Sequence, residues 1–184
     1  MRLIPLVFAS IALAGCGRDG GSPRAVAAEE ELEVVSASME PTLHCAKPAL
    51  GCRAEHQDDV LVRDEEHIER QEIVAFRVGS KARRMCGAGG LFVKRVVATA
   101  GDKVSFRDGV VYVNGARLHE RSANGPTTPG EEGAEVHVPA NHIFVLGDNR
   151  AQSCDSRVWG PLAVRKVVGV AFAIQRGSRK IPLP

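Results

Sequence analysis

The chain has 184 residues, and its 24 lysines and arginines against 22 aspartates and glutamates give a formal net charge of +2. This length accommodates one domain with a sizeable core and little more. The near-neutral charge argues against a strongly basic nucleic-acid-binding protein, and a hydrophobic content of 44% argues against a disordered chain. Aromatic residues, at 4%, offer no stacking platform for bases. Five cysteines remain to be assigned by their chemistry.

The first residues have the pattern of an export signal. Arg2 precedes an apolar run over residues 3–15, which is shorter than the roughly 20 residues of a membrane-spanning helix. Residues 13–16 resemble the lipobox of bacterial lipoproteins, in which the cysteine, here Cys16, is acylated and becomes the new N-terminus. An ordinary cleaved signal with a chance cysteine, or a short uncleaved anchor, is the alternative. We expect a signal peptide over residues 1–15, a lipidated tether over 16–31 and a folded domain over 32–184.

The folded part predicts a mainly β, largely antiparallel domain. Turn pairs at residues 108–109 and 114–115 flank a short apolar run, as in β-hairpins. The one helix-like stretch, residues 64–72, is charged and weakly periodic, basic residues 81–84 predict a solvated loop, and residues 122–133 predict a mobile surface loop. The predicted strands cover residues 32–35, 60–63, 73–78, 91–99, 103–106, 110–113, 135–138, 142–146 and 166–174.

Two segments offer the components of a catalytic pair. Ser36 and Ser38 follow a predicted strand, and in an extended segment two serines two positions apart point the same way. A serine needs a nearby base to become a nucleophile. Lys94 interrupts an otherwise apolar strand, and a lysine turned inward loses hydration, which favours its neutral form. A serine-rich turn and a lysine at a strand edge with its ammonium group in solvent are the plain alternatives.

A third segment, residues 147–160, follows an apolar strand and is dense in polar side chains. Asp155 and Arg157 are a candidate charge pair within it. A plain turn seldom needs so many hydrogen-bonding groups, so the segment indicates a functional loop.

Together the three segments resemble the bacterial type I signal peptidases, which are membrane-associated Ser/Lys proteases. The serine box corresponds to residues 36–42 and the lysine box to 94–97 with 100–102. The last box corresponds to residues 147–150, 153, 155–157 and 159–160. Their order and spacing match over roughly residues 32–174. The resemblance implies a signal-peptidase-like antiparallel β domain with a small cap insertion at about residues 103–140. We expect no cofactor and no metal.

Carried over residue by residue, the resemblance implies that Ser38 is the nucleophile and Lys94 the general base. Ser153 would hydrogen-bond and orient Lys94, and the Ser36 hydroxyl would join the Ser38 backbone N–H in stabilising the oxyanion. The resemblance also implies a structural supporting role for Asp148, Asn149, Asp155 and Arg157. It implies that Met39, Phe92 and Val93 form the apolar walls of the substrate pocket.

The implied activity is that of a membrane-associated serine endopeptidase that removes signal peptides from exported preproteins, cutting after small residues of the Ala-x-Ala type. The substrate would bind as an added strand between the serine and lysine segments. Acylated Cys16 would hold a monomer at the outer, extracytoplasmic face of the cell membrane, in place of the family's transmembrane helices. Its partners would be preproteins and membrane lipid, not nucleic acid. A catalytically idle relative that binds signal peptides, or a maturase dedicated to one exported substrate, is the alternative.

With Cys16 acylated, four cysteines remain and allow three pairings. Cys45 and Cys52 are close in sequence and are the favoured pair. Cys86 and Cys154 are left, and a bridge between them would tie the lysine strand to the loop that carries Ser153.

A zinc site formed by His44, Cys45, Cys52 and His56 is a competing interpretation. The cysteine spacing is too wide for a zinc knuckle, and an exported protein favours disulfides. The sequence therefore favours a bridge over a metal.

Overall fold

The computed structural model describes residues 29–47, 51–52, 54–120, 122–125 and 135–183. The expected signal peptide, Cys16 and most of the tether lie outside the described residues. Part of the expected loop over residues 122–133 does so as well.

Antiparallel strands dominate the described residues, which confirms the predicted fold class. No described helix is long and apolar enough to cross a membrane. The strands are β1 Glu29–Glu33, β2 Asp59–Arg63, β3 Ile73–Arg77, β4 Leu91–Ala98, β5 Lys103–Arg107, β6 Val110–Val113, β7 Ala116–Arg117, β8 Glu135–His137, β9 His142–Leu146, β10 Leu162–Ala163, β11 Val167–Arg176 and β12 Arg179–Pro182, and the α-helices are α1 Ser80–Cys86 and α2 Ser156–Trp159.

The strands form two antiparallel sheets. The larger sheet has the order β1-β2-β11-β3-β4-β9-β10, and β12 also pairs with β11. The smaller sheet, in the order β7-β6-β5-β8, occupies the region expected for the cap insertion. Its hairpins turn at Asp108-Gly109 and Asn114-Gly115, where all four residues have positive φ, as the sequence pattern predicts.

Strand β3 shows how the large sheet separates two cores. Ile73 and Ala75 face a core that includes Met39, whereas Val74 and Phe76 face a core that includes Trp159. This alternation follows from the two-residue period of a strand. The serine segment therefore packs on one face of the sheet, and the two helices cover the other.

Two predicted elements are wrong in place. The first strand, expected over residues 32–35, is β1 over Glu29–Glu33, because all five of these residues pair with β2. Residues 64–72 form no helix: Gln71 has a φ of 74°, and the backbone of residues 71 and 72 bonds to Val96 of β4. The helix lies instead in the basic segment expected as a loop, where α1 buries Ala82 and ends at Cys86.

Candidate active site

The side chains of Ser38 and Lys94 meet at the edge of the large sheet. Ser38 lies in the 3-10 turn Ala37–Met39 and is buried, and Lys94 lies in β4. Lys94 Nζ donates to Ser38 Oγ at 2.6 Å and to the Val93 carbonyl oxygen at 2.9 Å. Two of the residues singled out by the sequence analysis, 56 positions apart in the chain, are thus in direct contact.

Lys94 is buried, with a relative exposure of 3%. Burial lowers its pKa from the usual 10.5 to about 8, because the charged ammonium loses hydration, and the carboxylates of Asp155 and Asp148 partly oppose this shift. No carboxylate among the described residues forms an ion pair with it. An appreciable fraction of the amine is therefore neutral near pH 8.

A groove of about 310 Å³ opens beside this pair. Val34 and Ser36 line one side, and residues Leu91 to Lys94 of β4 line the other. Strand β9 pairs with β4 only from Arg95 onwards, so among the described strands this edge of Leu91–Lys94 has no neighbour. An unpaired strand edge is the kind of surface to which an extended peptide adds as a further strand.

Ser36, expected to stabilise the oxyanion, and Ser153, expected to orient Lys94, have different surroundings. Ser36 Oγ lies 3.2 Å from Ser38 Oγ. Ser153 Oγ is buried and has no hydrogen-bond partner within the described part of the chain, so the expected bond to Lys94 is absent here. The Ser153 side chain instead lies against Gly147, next to the Ser38 carbonyl oxygen, where a Cβ on Gly147 would clash with both.

Asp155 and Arg157 form the charge pair suggested by the sequence. Asp155 caps α2, and its carboxylate accepts from Arg157 Nε at 2.8 Å and from the Gly147 backbone N–H at 3.0 Å. Arg157 also donates to the carbonyl oxygens of Arg150 and Ser153. The pair therefore closes the loop around Ser153.

Asp148 anchors a buried network that the sequence analysis did not identify. Arg95 donates to both carboxylate oxygens of Asp148, at 2.9 and 2.7 Å, and Thr42 Oγ1 donates to the same group at 2.5 Å. Arg95 also donates to the Gln71 carbonyl oxygen. The network joins the serine box, the lysine strand and the last box. Its signal in the sequence is an arginine within the apolar run of β4.

Asn149 holds the backbone of the serine turn directly. Its N–H donates to the Ser38 carbonyl oxygen at 3.1 Å, and its side-chain amide donates to the Ala37 carbonyl oxygen at 3.0 Å. These two bonds fix the turn that presents the Ser38 hydroxyl.

The three residues expected to wall the substrate pocket, Met39, Phe92 and Val93, all line the groove. The Phe92 ring centroid is 5.3 Å from Lys94 Nζ. Sequence reasoning missed other lining residues, because strand edges and loop ends meet here only in the folded chain. They include Val34, Val35, Cys86, Ala88, Gly89, Leu91, Gln152 and Cys154.

The four described cysteines form two disulfides, Cys45–Cys52 and Cys86–Cys154. The first joins the two cysteines that the alternative zinc site would have needed as ligands. No group of three or more potential metal ligands occurs among the described residues.

A family model described as "Signal peptidase, peptidase S26" matches residues 6–175. The chain is 38% identical over 141 residues to "Probable signal peptidase I-2" of Synechocystis sp., covering 76% of this chain and 59% of that protein. It is 32% identical over 114 residues to "Signal peptidase I" of Bacillus caldolyticus, covering 55% of this chain and 58% of that protein.

The similarity reaches a plant organelle protein and a solved structure. The chain is 43% identical over 79 residues to "Thylakoidal processing peptidase 1, chloroplastic" of Arabidopsis thaliana, covering 43% of this chain and 23% of that protein. A crystal structure of a signal peptidase I from Enterococcus faecalis superposes with a TM-score of 0.45 and 28% identity, covering 58% of this chain and 98% of that one. The chain spans less than two thirds of the length of the three curated relatives.

Proposed function

The chain belongs to the signal peptidase family of S26 peptidases, and we propose that it is a serine endopeptidase that removes N-terminal signal peptides from exported preproteins. One observation carries this proposal: Lys94 Nζ lies 2.6 Å from Ser38 Oγ, in a buried site where its pKa falls to about 8. A serine and a lysine in contact, with the lysine close to neutrality, are the two components that a serine–lysine hydrolase requires.

The proposed first step uses neutral Lys94 as the general base. When the amine loses its proton, the hydrogen bond reverses and the Ser38 hydroxyl donates to Nζ. Ser38 Oγ then attacks the scissile carbonyl carbon while its proton moves to Lys94. The resulting ammonium gives this proton to the leaving amine as the peptide bond breaks. Neutral Lys94 then takes a proton from a water molecule that attacks the acyl carbon, and returns it to Ser38 Oγ as the ester bond breaks and the new carboxyl end is released.

The negative charge that develops on the carbonyl oxygen needs donors close to Ser38. Ser36 Oγ, 3.2 Å from Ser38 Oγ, is suitably placed to supply one, and the Ser38 backbone N–H is the second in our proposal. Ser153 is proposed to position Lys94, which requires its side chain to turn from its contact with Gly147.

The substrate is proposed to lie in the groove as an extended strand, with its backbone paired to the open edge of Leu91–Lys94. Met39, Phe92 and Val93, which line the groove, are proposed to wall the apolar pockets that accept the small side chains of an Ala-x-Ala cleavage site. Four residues are proposed to hold the serine turn and the loop around Ser153 in position, namely Asp148, Asn149, Asp155 and Arg157.

The test is cleavage of a purified preprotein in detergent by the wild type and by the Ser38→Ala and Lys94→Met variants. We expect the wild type to release the signal peptide and both variants to lose this activity. Ser105→Ala and Lys103→Met, on β5 of the smaller sheet, serve as matched controls and should cut at the wild-type rate. Equal cleavage by the Ser38 and Lys94 variants would refute the mechanism, and retention of signal peptides without turnover by the wild type would identify an idle binding relative.

The anchor is proposed to be a lipid on Cys16, at the outer face of the cell membrane. Metabolic labelling with a radioactive fatty acid tests it: the wild type should be labelled and Cys16→Ser should not. A label that persists in Cys16→Ser would exclude this cysteine as the anchor. A panel of preproteins separates a general peptidase from a maturase, because a maturase would cut only one of them.

A further inference from the structure

We propose that the Cys86–Cys154 disulfide is a specificity-determining wall of the substrate groove, so that its presence restricts cleavage to substrates with small residues. This inference rests on the proposed function and extends it to a feature of this chain. Both cysteines line the groove, together with Ala88, Gly89 and Phe92. The bridge is therefore in a position to touch the substrate.

Both ends of the bridge are held in place. Cys86 ends α1, and the next residue, Gly87, caps the helix with its N–H bonded to the Arg83 carbonyl oxygen. Cys154 precedes Asp155, which is completely buried and accepts hydrogen bonds from Arg157 and from the Gly147 backbone. A wall fixed at two separate points cannot easily retreat from a bulky side chain.

The bridge also shares a core with Phe92, the ring next to Lys94 Nζ. Both half-cystines contact the core on the helix-covered face of the sheet, as does Phe92. The Phe92 ring lies next to Lys94 Nζ and 6.2 Å from the Phe76 ring. Removing the two sulfurs would enlarge the groove close to the scissile bond.

The second disulfide provides a matched control within the same chain. Cys45 and Cys52 are buried behind the serine turn, in the core that contains Ala37 and Met39, and neither lines the groove. Removing this disulfide takes away one bridge, as in the Cys86–Cys154 variant, but leaves the wall of the groove unchanged. A change in substrate preference that is confined to the Cys86–Cys154 pair is therefore not a general effect of losing a disulfide.

The experiment compares two preproteins that differ only in having Ala or Leu before the scissile bond. In the Cys86→Ala/Cys154→Ala variant, the preference for Ala over Leu in kcat/KM should fall about tenfold or more, the scale on which a pocket discriminates small apolar groups. In Cys45→Ala/Cys52→Ala it should stay as in the wild type. The same comparison is made for binding of the two signal peptides in a Ser38→Ala background, which needs no turnover.

Reduction offers a second route if the Cys86→Ala/Cys154→Ala variant does not fold. In the Cys45→Ala/Cys52→Ala protein, a phosphine reductant opens the Cys86–Cys154 bridge after folding, and the preference for Ala should fall and return on reoxidation. An unchanged preference in either format overturns the proposal while leaving the peptidase intact. A wild-type protein that neither cuts nor binds either substrate overturns both proposals.

Discussion

Two neighbouring residues of β4 bury positive charges in opposite ways. Arg95, at 5% exposure, has both carboxylate oxygens of Asp148 within 2.9 Å. Lys94, at 3% exposure, donates to a hydroxyl and a carbonyl oxygen, and no carboxylate among the described residues forms an ion pair with it. Adjacent residues of a strand face opposite sides, so one strand supplies both environments.

The difference shows how two adjacent buried cations take different roles, Arg95 in stabilising the site and Lys94 in its proposed chemistry. A guanidinium paired with a carboxylate keeps its charge and joins three segments of the site. An amine without an adjacent carboxylate is driven towards its neutral form by lost hydration, and the more distant Asp148 and Asp155 only reduce this shift. The lowered pKa of Lys94 thus depends on its burial at a point of β4 where no described carboxylate is adjacent to it.

The largest expected effect comes from giving position 94 the side chain of its neighbour. Lys94→Arg should lower kcat/KM on the order of 10³-fold or more, because a guanidinium does not lose its proton in this pH range. Cleavage of a preprotein is the measurement, with circular dichroism to verify the fold. Lys103→Arg on β5 is the matched control. An arginine variant with a tenth of the wild-type activity would contradict lysine as the base.

Removing the other cation should damage the fold. Arg95→Met leaves the Asp148 carboxylate buried without its charge partner, which costs about 3–5 kcal/mol in the free energy of unfolding. Urea denaturation measures this loss. The double variant Arg95→Met/Asp148→Leu should recover much of it, since no unpaired charge remains. A single variant as stable as the wild type would show that the network contributes little.

The pH profile of cleavage reports the state of Lys94. The active form is the neutral amine, so activity should rise with pH, reach half of its maximum near the pKa of about 8 and then level off. At about pH 6 it should be roughly 100-fold below the plateau, because the neutral fraction falls tenfold per pH unit. A flat profile, or a midpoint near the usual lysine pKa, would contradict a lowered pKa at this residue.

Lys94→Met should have the opposite effect on stability to Arg95→Met. The folded-state pKa of Lys94 lies below its unfolded value, so near pH 7 the buried ammonium destabilises the fold by about 3 kcal/mol, a cost that disappears as pH rises from about 8 towards 10.5. Methionine removes this cost but also removes the two hydrogen bonds of Lys94, which offset part of the gain. The net effect on the free energy of unfolding should be a stabilisation of roughly 1–3 kcal/mol. Urea denaturation at neutral and alkaline pH tests both the sign and the pH window, and a destabilised Lys94→Met would contradict them.

Most strands of the fold could be predicted because apolar alternation and turn residues are local signals. Three strands were missed. β7 and β10 have two residues each, too few to show a period, and in β12 the partly buried Ile181 lies among exposed residues. Helix α1 was missed because its apolar contacts are few, and Ala82 is its buried residue. Its end at Cys86 is bonded to a cysteine 68 residues away, which a local pattern does not reveal.

The site was predictable in its residue types and less so in its connections. The roles of Ser38 and Lys94 came from the resemblance of three segments in order, because a serine-rich turn or a lysine in an apolar strand is ambiguous on its own. The role of Arg95 depends on Asp148, 53 residues further along the chain, and no spacing rule links them. The place of Ser153, against Gly147 and without a bond to Lys94, follows from side-chain packing alone.

The strand order of the large sheet has a consequence for the stage of folding at which the Ser38–Lys94 contact forms. Strands β1 and β2, which flank the serine turn, are joined to β3 and β4 only through β11, a strand near the C-terminal end of the described chain. Before β11 joins the sheet, no sheet hydrogen bonds among the described strands connect the strands beside the serine turn to β3 and β4. Contacts between such distant segments form late in folding. The Ser38–Lys94 contact therefore requires nearly the whole described chain to be in place, including β11 close to its C-terminal end.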